Sequence, residues 1–165
     1  MTTFKPGPET SRAFRDALGQ FATGVTVVTT MTRDGPIGIT ANSFASVSLE
    51  PPLVLWSPAK ASSRYKYFEN ARHFAIHVLS CGQDRIAAGF ARQWAAFDGL
   101  DVTRGVEETP LIEGCLARFE CELEVAYDAG DHLIVVGRVF RAMMGAGDPL
   151  IFSSGRYGCF AQADD

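Results

Sequence analysis

Apolar side chains recur at Ala13, Phe14, Ala17, Leu18 and Phe21, with Arg12, Arg15, Asp16 and Gln20 between them. That spacing predicts an amphipathic helix, with Ser11 placed to cap its start and Gly24 just past its end. The period then changes. Residues 25–30 are β-branched almost throughout, and Arg33-Asp34-Gly35-Pro36 supplies turn chemistry before a second extended stretch opens at Ile37, so the pair reads as a hairpin. Residues 53–56, entered after Pro51-Pro52, form a short buried-strand pattern. Helical patterns follow at 62–70 and 83–91, separated by a strand at 73–79. The clearest alternation sets Ala117, Phe119, Cys121, Leu123 and Val125 against Arg118, Glu120, Glu122 and Glu124, as in a strand with one face in a core and one in water. Asp128-Ala129-Gly130-Asp131 turns this strand back into an apolar run over 133–141. Residues 98–114 show little periodicity and read as loop.

Strands outnumber helices, and adjacent hairpins favour antiparallel pairing over βαβ crossovers. The expected class is mainly β with covering helices, arranged as an antiparallel, closed or half-closed barrel. The 165 residues suit a single domain over 1–165, with a core at about 11–160 and loosely held tails up to Thr10 and after Phe160. Hydrophobic residues make up 47% and charged ones 21%, which is ordinary for a globular chain and far from the signature of disorder. A net charge of −4 gives no electrostatic reason to bind nucleic acid or an anionic membrane, so neither is expected as a partner. Residues 1–9 lack the pattern of a signal peptide and no apolar run approaches a membrane span, which points to a cytoplasmic protein. Cys81, Cys115, Cys121 and Cys159 show no C-x-x-C spacing; they are expected to be reduced and mostly structural, with no zinc site.

Two stretches carry candidate chemistry. Gly38-Ile-Thr-Ala-Asn-Ser-Phe-Ala-Ser-Val-Ser48 places small and hydroxyl residues where bulky β-branched ones would pack better. Small residues admit something flat, and Thr40, Asn42, Ser43 and Ser46 offer donors and acceptors to the polar edge of a ring system. A polar loop between two strands explains the composition equally well. Ser57-Pro-Ala-Lys-Ala-Ser-Ser-Arg64 could seat a phosphate against Ser62, Ser63 and a helix N-terminus, with Ser57 alongside and Lys60 or Arg64 adding charge. A serine-capped helix with solvated cations is the plainer alternative. Neither a G-x-G-x-x-G after the first strand nor a P-loop is present, so a nucleotide must be held by other means. His73 and His77 on one strand would lie about 13 Å apart, too far to share a metal, and are assigned structural roles. His132 sits beside Asp131 in the expected turn, exposed to a ligand.

Read in order, four segments closely resemble the short-chain flavin reductase family with the FMN-binding split-barrel fold: Phe21-Ala-Thr-Gly-Val-Thr-Val-Val-Thr-Thr30, Gly38-Ile-Thr-Ala-Asn-Ser-Phe-Ala-Ser-Val-Ser-Leu-Glu-Pro-Pro52, Ala129-Gly-Asp-His132 and Pro149-Leu-Ile-Phe-Ser-Ser-Gly-Arg-Tyr157. The resemblance implies a homodimer that uses NADH or NADPH to reduce FMN or FAD and supplies reduced flavin to a partner monooxygenase. A split-barrel flavoprotein that holds FMN tightly for electron transfer is the alternative. By position, Thr40, Ala41, Asn42 and Ser43 would line the isoalloxazine, Ser46, Ser62 and Ser63 would serve the ribityl-phosphate side, and Phe90 would pack nearby. His132, Arg156 and Tyr157 would face the nicotinamide, with His132 positioning it for hydride transfer. Ala59 and Ala61 stand where the family pattern is richer in hydroxyls, which leaves FMN versus FAD open.

Overall fold

The structure is a computed structural model that describes residues 2–162. The expected looseness of the tail after Phe160 therefore falls partly outside the described residues. A 3₁₀ turn at Pro8–Thr10 leads into helix α1, Ser11–Leu18. Thr10 rather than Ser11 holds the cap position and makes no side-chain cap bond. None of the residues of α1 is buried, so the apolar face read from the sequence points out of the chain.

Seven strands form the main antiparallel sheet: β2 (Thr26–Thr32), β3 (Gly35–Ala41), β4 (Ala45–Leu49), β5 (Pro52–Trp56), β6 (His73–Val78), β9 (Ala117–Ala129) and β10 (His132–Met144). Their order is β3-β2-β6-β9-β10-β5-β4, so β3 and β4, consecutive in sequence, are the two edges. A flat sheet would hold those edges about 29 Å apart at 4.8 Å per strand spacing. The link through residues 42–44 spans no more than about 15 Å from Ala41 to Ala45. The sheet must therefore curl almost shut, leaving a seam that this link bridges. The expectation of a half-closed barrel holds.

A second sheet joins β1 (Thr23–Gly24), β11 (Leu150–Ser153) and β12 (Arg156–Cys159), in the order β1-β11-β12. Helix α2 is a single turn, Tyr65–Phe68, shorter than the expected 62–70, and α3 spans Asp84–Arg92. The segment read as loop contains β7 (Val102–Arg104), a 3₁₀ turn at Val106–Glu108 and β8 (Pro110–Ile112), paired as a small hairpin. That hairpin explains another difference. Glu120, expected in water, is 3% exposed beneath the hairpin, its carboxylate 3.8 Å from Arg118 and 3.6 Å from Arg141. A three-residue strand is too short for its periodicity to show in sequence.

Both faces of β2 are buried, which is why its residues are β-branched without polar alternation. Val28 faces the barrel interior with Ile37, Trp56, Phe68, Phe74, Ile76 and Val135. Val27 faces outward into a second core with Val25, Leu79, Ala87, Phe90, Ile112 and Leu150, roofed by α3 and β11. Two glycines mark close packing: a Cβ on Gly137 would stand 2.6 Å from Phe74 Cζ, and one on Gly38 2.6 Å from the Phe90 ring. The flat group admitted by the small residue Gly38 is thus a core phenylalanine of α3.

His77 is fully buried, as its structural assignment required; Nδ1 donates to Val27 O and Nε2 accepts from Ile112 N, both at 3.0 Å. Cys81 and Cys159 form a disulfide across 78 residues, correcting the expectation of four reduced thiols. Long-range pairing of the second sheet with the end of β6 brings the two together, and sequence spacing carries no sign of it. Cys115 and Cys121 are free and buried.

Candidate functional site

Along β3 the side chains alternate between the barrel and the second core, so Ile37 and Ile39 turn inward while Gly38 and Thr40 turn towards α3. Thr40 Oγ1 donates to Ala87 O at 2.6 Å, which commits its proton to the helix and leaves its lone pairs for a ligand donor. Thr40, Ala41 and Asn42 form one wall of a groove of about 120 Å³; Val25, Phe152 and Tyr157 complete it. Phe152 and Tyr157 hold their rings 5.4 Å apart at 56°, giving the groove an aromatic side. This volume is below the about 300–1,000 Å³ of an ordinary small-molecule pocket, so the groove has room for only one part of a flavin-sized ligand.

Beyond Asn42 the seam supplies polar groups. The backbone N–H groups of Asn42, Ser43 and Phe44 make no hydrogen bond among the described residues. Asn42 Nδ2 donates to Thr23 Oγ1 at 3.1 Å, steadying one end of the link. Ser43 Oγ accepts from Ser57 N at 2.8 Å, tying the other end to the chain leaving β5. A row of free donors beside a groove with one aromatic wall suits a flat heteroaromatic ligand with acceptors on one edge, which is the shape of the isoalloxazine expected from the sequence.

Residues 57–60 are laced to the turn between β9 and β10. Leu133 N donates to Pro58 O at 3.1 Å, Lys60 N to Asp131 O at 2.9 Å, and Ala59 bridges His132. Lys60 Nζ reaches Asp128 Oδ2 at 2.7 Å and Gly130 O at 2.6 Å. Its hydrogen bond to the Asp128 carboxylate holds the Lys60 pKa above its ordinary value. Lys60, expected at a phosphate, is therefore spent on holding this turn. Asp131 Oδ1 accepts from His132 Nδ1 at 2.8 Å, which holds the Asp131 carboxyl below its usual range and leaves Nε2 free to face a ligand.

The remaining expected residues divide. Ser62 Oγ accepts from Arg64 N at 3.3 Å inside a turn, while Ser63 is exposed. Ser46 lies exposed on β4 opposite Val54. Arg64 serves structure: its guanidinium donates to Gly38 O, Phe90 O and Ala91 O, and burial lowers its pKa. Phe90 has no accessible surface and packs beneath Gly38 instead of touching a ligand. Arg156 pairs with Ser153 and alternates away from Tyr157, outside the groove. Phe152 and Val25 were missed, although Phe152 sits two residues before the Ser154-Gly155 turn in a segment that already carried the resemblance.

A larger cavity, about 450 Å³, lies at the opposite end of β2 and β3, lined by Arg33, Lys66, Tyr67, His73 and Glu107 among others. His73 and Glu107 close on each other at 2.9 Å there. None of the expected site residues borders it. Among the described residues no cluster of His, Cys, Asp and Glu could hold a metal ion, and no helix is long and apolar enough to cross a membrane.

The sequence matches the flavin reductase like domain over residues 18–160. It is 61% identical over 159 residues, 96% of this chain and 91% of the relative, to FMN reductase (NADH) SmoA of Agrobacterium fabrum. It is 40% identical to the flavin-dependent monooxygenase reductase subunit HsaB of Rhodococcus jostii, covering 88% of this chain and 76% of that one. Among solved structures it is similar to the NADH:FAD oxidoreductase of Streptomyces globisporus, with a TM-score of 0.90, 39% identity, and coverage of 100% of this chain and 96% of that one.

Proposed function

The chain belongs to the flavin reductase like domain family, and from that premise we propose that it is an NADH-dependent flavin reductase that hands reduced flavin to a separate monooxygenase. The observation that carries this reading is the groove at the seam, lined by Thr40, Ala41, Asn42, Phe152 and Tyr157, with the unpaired N–H groups of residues 42–44 in the link that leaves it. A flavin bound there supplies the hydride acceptor for the reduced nicotinamide. The N–H groups of Asn42, Ser43 and Phe44 would donate to the acceptor edge of such a ring and favour negative charge there. Tyr157 and Phe152 exclude water from one side. His132, its Nδ1 held by Asp131, orients the nicotinamide through Nε2 and needs to give up no proton in the hydride step. Thr40, Ala41, Asn42 and Ser43 serve the ring; Ser57, Ser62 and Ser63 lie towards the ribityl-phosphate side.

The relatives' names support NADH as donor and a monooxygenase as recipient, and weigh against a flavoprotein that keeps its FMN. Both FMN and FAD fit an open groove that encloses only part of the ligand. A homodimer belongs to the same reading: Phe21, Leu49 and Met144 are 79%, 93% and 88% exposed, apolar surface that a second copy would cover while enlarging the groove. Action in the cytoplasm, where NADH is made, completes it.

The test is steady-state oxidation of NADH and NADPH with added FMN, FAD or riboflavin, with sedimentation velocity on the same preparation. Many turnovers per protein, faster with NADH, and a dimer at micromolar concentration are expected. Stoichiometric reduction of one retained flavin with no further turnover would replace this reading by the electron-transfer alternative.

A further inference from the structure

The four cysteines fall into two classes. Cys115 and Cys121 are buried, and burial pushes both thiols up, Cys121 to about 12. Neither is a ready nucleophile. Cys81 and Cys159 are exposed, and their Cα atoms stand 5.4 Å apart, a separation that an unstrained disulfide spans.

What the pair fastens is specific. Strand β11 is anchored without it: Val25 N donates to Leu150 O at 3.1 Å, Leu150 N to Leu79 O at 2.9 Å, and Cys81 N to Asp148 O at 2.7 Å. Strand β12 has no such hold. All four of its residues are exposed, among the described residues it pairs only with β11, and it is joined to β11 through the tight turn at Ser154-Gly155. Tyr157 and Cys159 stand two residues apart and so share a face. The bond therefore draws the same face of β12 against the molecule that presents Tyr157 to the groove.

We propose that Cys81 and Cys159 are a redox-active dithiol–disulfide pair, oxidised by hydrogen peroxide, that latches β12 and with it the aromatic wall of the groove. This rests on the flavin reductase reading, because reduced flavin that no oxygenase collects passes two electrons and two protons to dioxygen, giving oxidised flavin and hydrogen peroxide. One thiolate attacks the peroxide, the O–O bond breaks, and a sulfenic acid and hydroxide result, the hydroxide taking up the proton the thiol gave to solvent to become water. The second thiol then attacks that sulfur, forming the S–S bond and releasing a second water. A cellular thiol reverses the step by exchange. With the latch closed, flavin enters and leaves past a fixed wall; with it open, Tyr157 moves with a free edge strand. Uncollected product thus slows its own supply.

Protein reduced with dithiothreitol is compared with the same protein exposed to peroxide, each freed of reagent. Denatured samples should show four thiols before peroxide and two after it, the two being Cys115 and Cys121. The latched form should bind FMN about fivefold more tightly by fluorescence quenching and turn over with KM and kcat both lowered about fivefold, since release past a lid is what limits such reactions. Cys81→Ser and Cys159→Ser should each behave as the reduced form whatever the treatment. Four thiols after peroxide, or equal FMN affinity at two and at four thiols, would overturn the latch. If thiol count and affinity move together but neither form turns over NADH with any flavin, the latch stands and the reductase reading fails.

Discussion

His77 has both ring nitrogens engaged, one by a carbonyl of β2 and the other by an amide of β8, in a place that water does not reach. Burial pushes its pKa down to about 4. The folded ring stays neutral where the unfolded one, near 6.5, takes up a proton. Stability from this residue is therefore complete above pH 6.5 and is lost as pH falls towards 4, by about 3 kcal/mol in all. His77→Gln should be less stable than the parent at pH 7.5, and the gap between their urea midpoints should close as pH is lowered to 4.5. A gap that stays constant with pH would show that the ring protonates in the folded state. The structural role of His77 was legible because strand spacing sets it about 13 Å from His73, too far to share a metal, and leaves it few other uses. Phe90 was not legible in this way: a ring opposite a run of small residues reads the same whether it lies in a ligand pocket or beneath it, and only the 2.6 Å approach to Gly38 decides between them.

The hairpin of β9 and β10 was evident from alternation over 117–125 and from Asp128-Ala-Gly-Asp131, because a long strand with one wet face repeats its signal many times. What that turn touches was not evident. Lys60 clamps it from residues far away in sequence, and serine-rich chain with nearby cations looks alike whether the cations meet phosphate or a carboxylate. The two roles separate experimentally. Lys60→Met should lower kcat with NADH about threefold or more, as His132 loses its fixed place, while leaving the preference for FMN over riboflavin unchanged. Loss of that preference with kcat intact would return Lys60 to the phosphate. The small β7–β8 hairpin escaped the sequence, and α2 was expected over 62–70 but is only Tyr65–Phe68, for a shared reason: elements of three or four residues complete no period that would fix their presence or bounds.

At the scale of the molecule, the barrel class followed from counting strands and hairpins, and its seam follows from topology alone. Three hairpins, β2–β3, β4–β5 and β9–β10, are local in sequence, whereas β2–β6, β6–β9 and β10–β5 join distant segments. The link at residues 42–44 is tethered to one local hairpin at each end, and those hairpins occupy opposite margins of the sheet. Its shape is set only when every distant pairing between them has formed. Local pairs assemble early and distant ones late. Capacity to bind flavin should thus be the last property regained on refolding: after dilution from urea, the fluorescence of buried Trp56 should recover before FMN quenching does. Simultaneous recovery would mean that the link acquires its shape without the ring around it. A chain leaving the ribosome meets the same order, and stays unable to capture flavin until its barrel is whole.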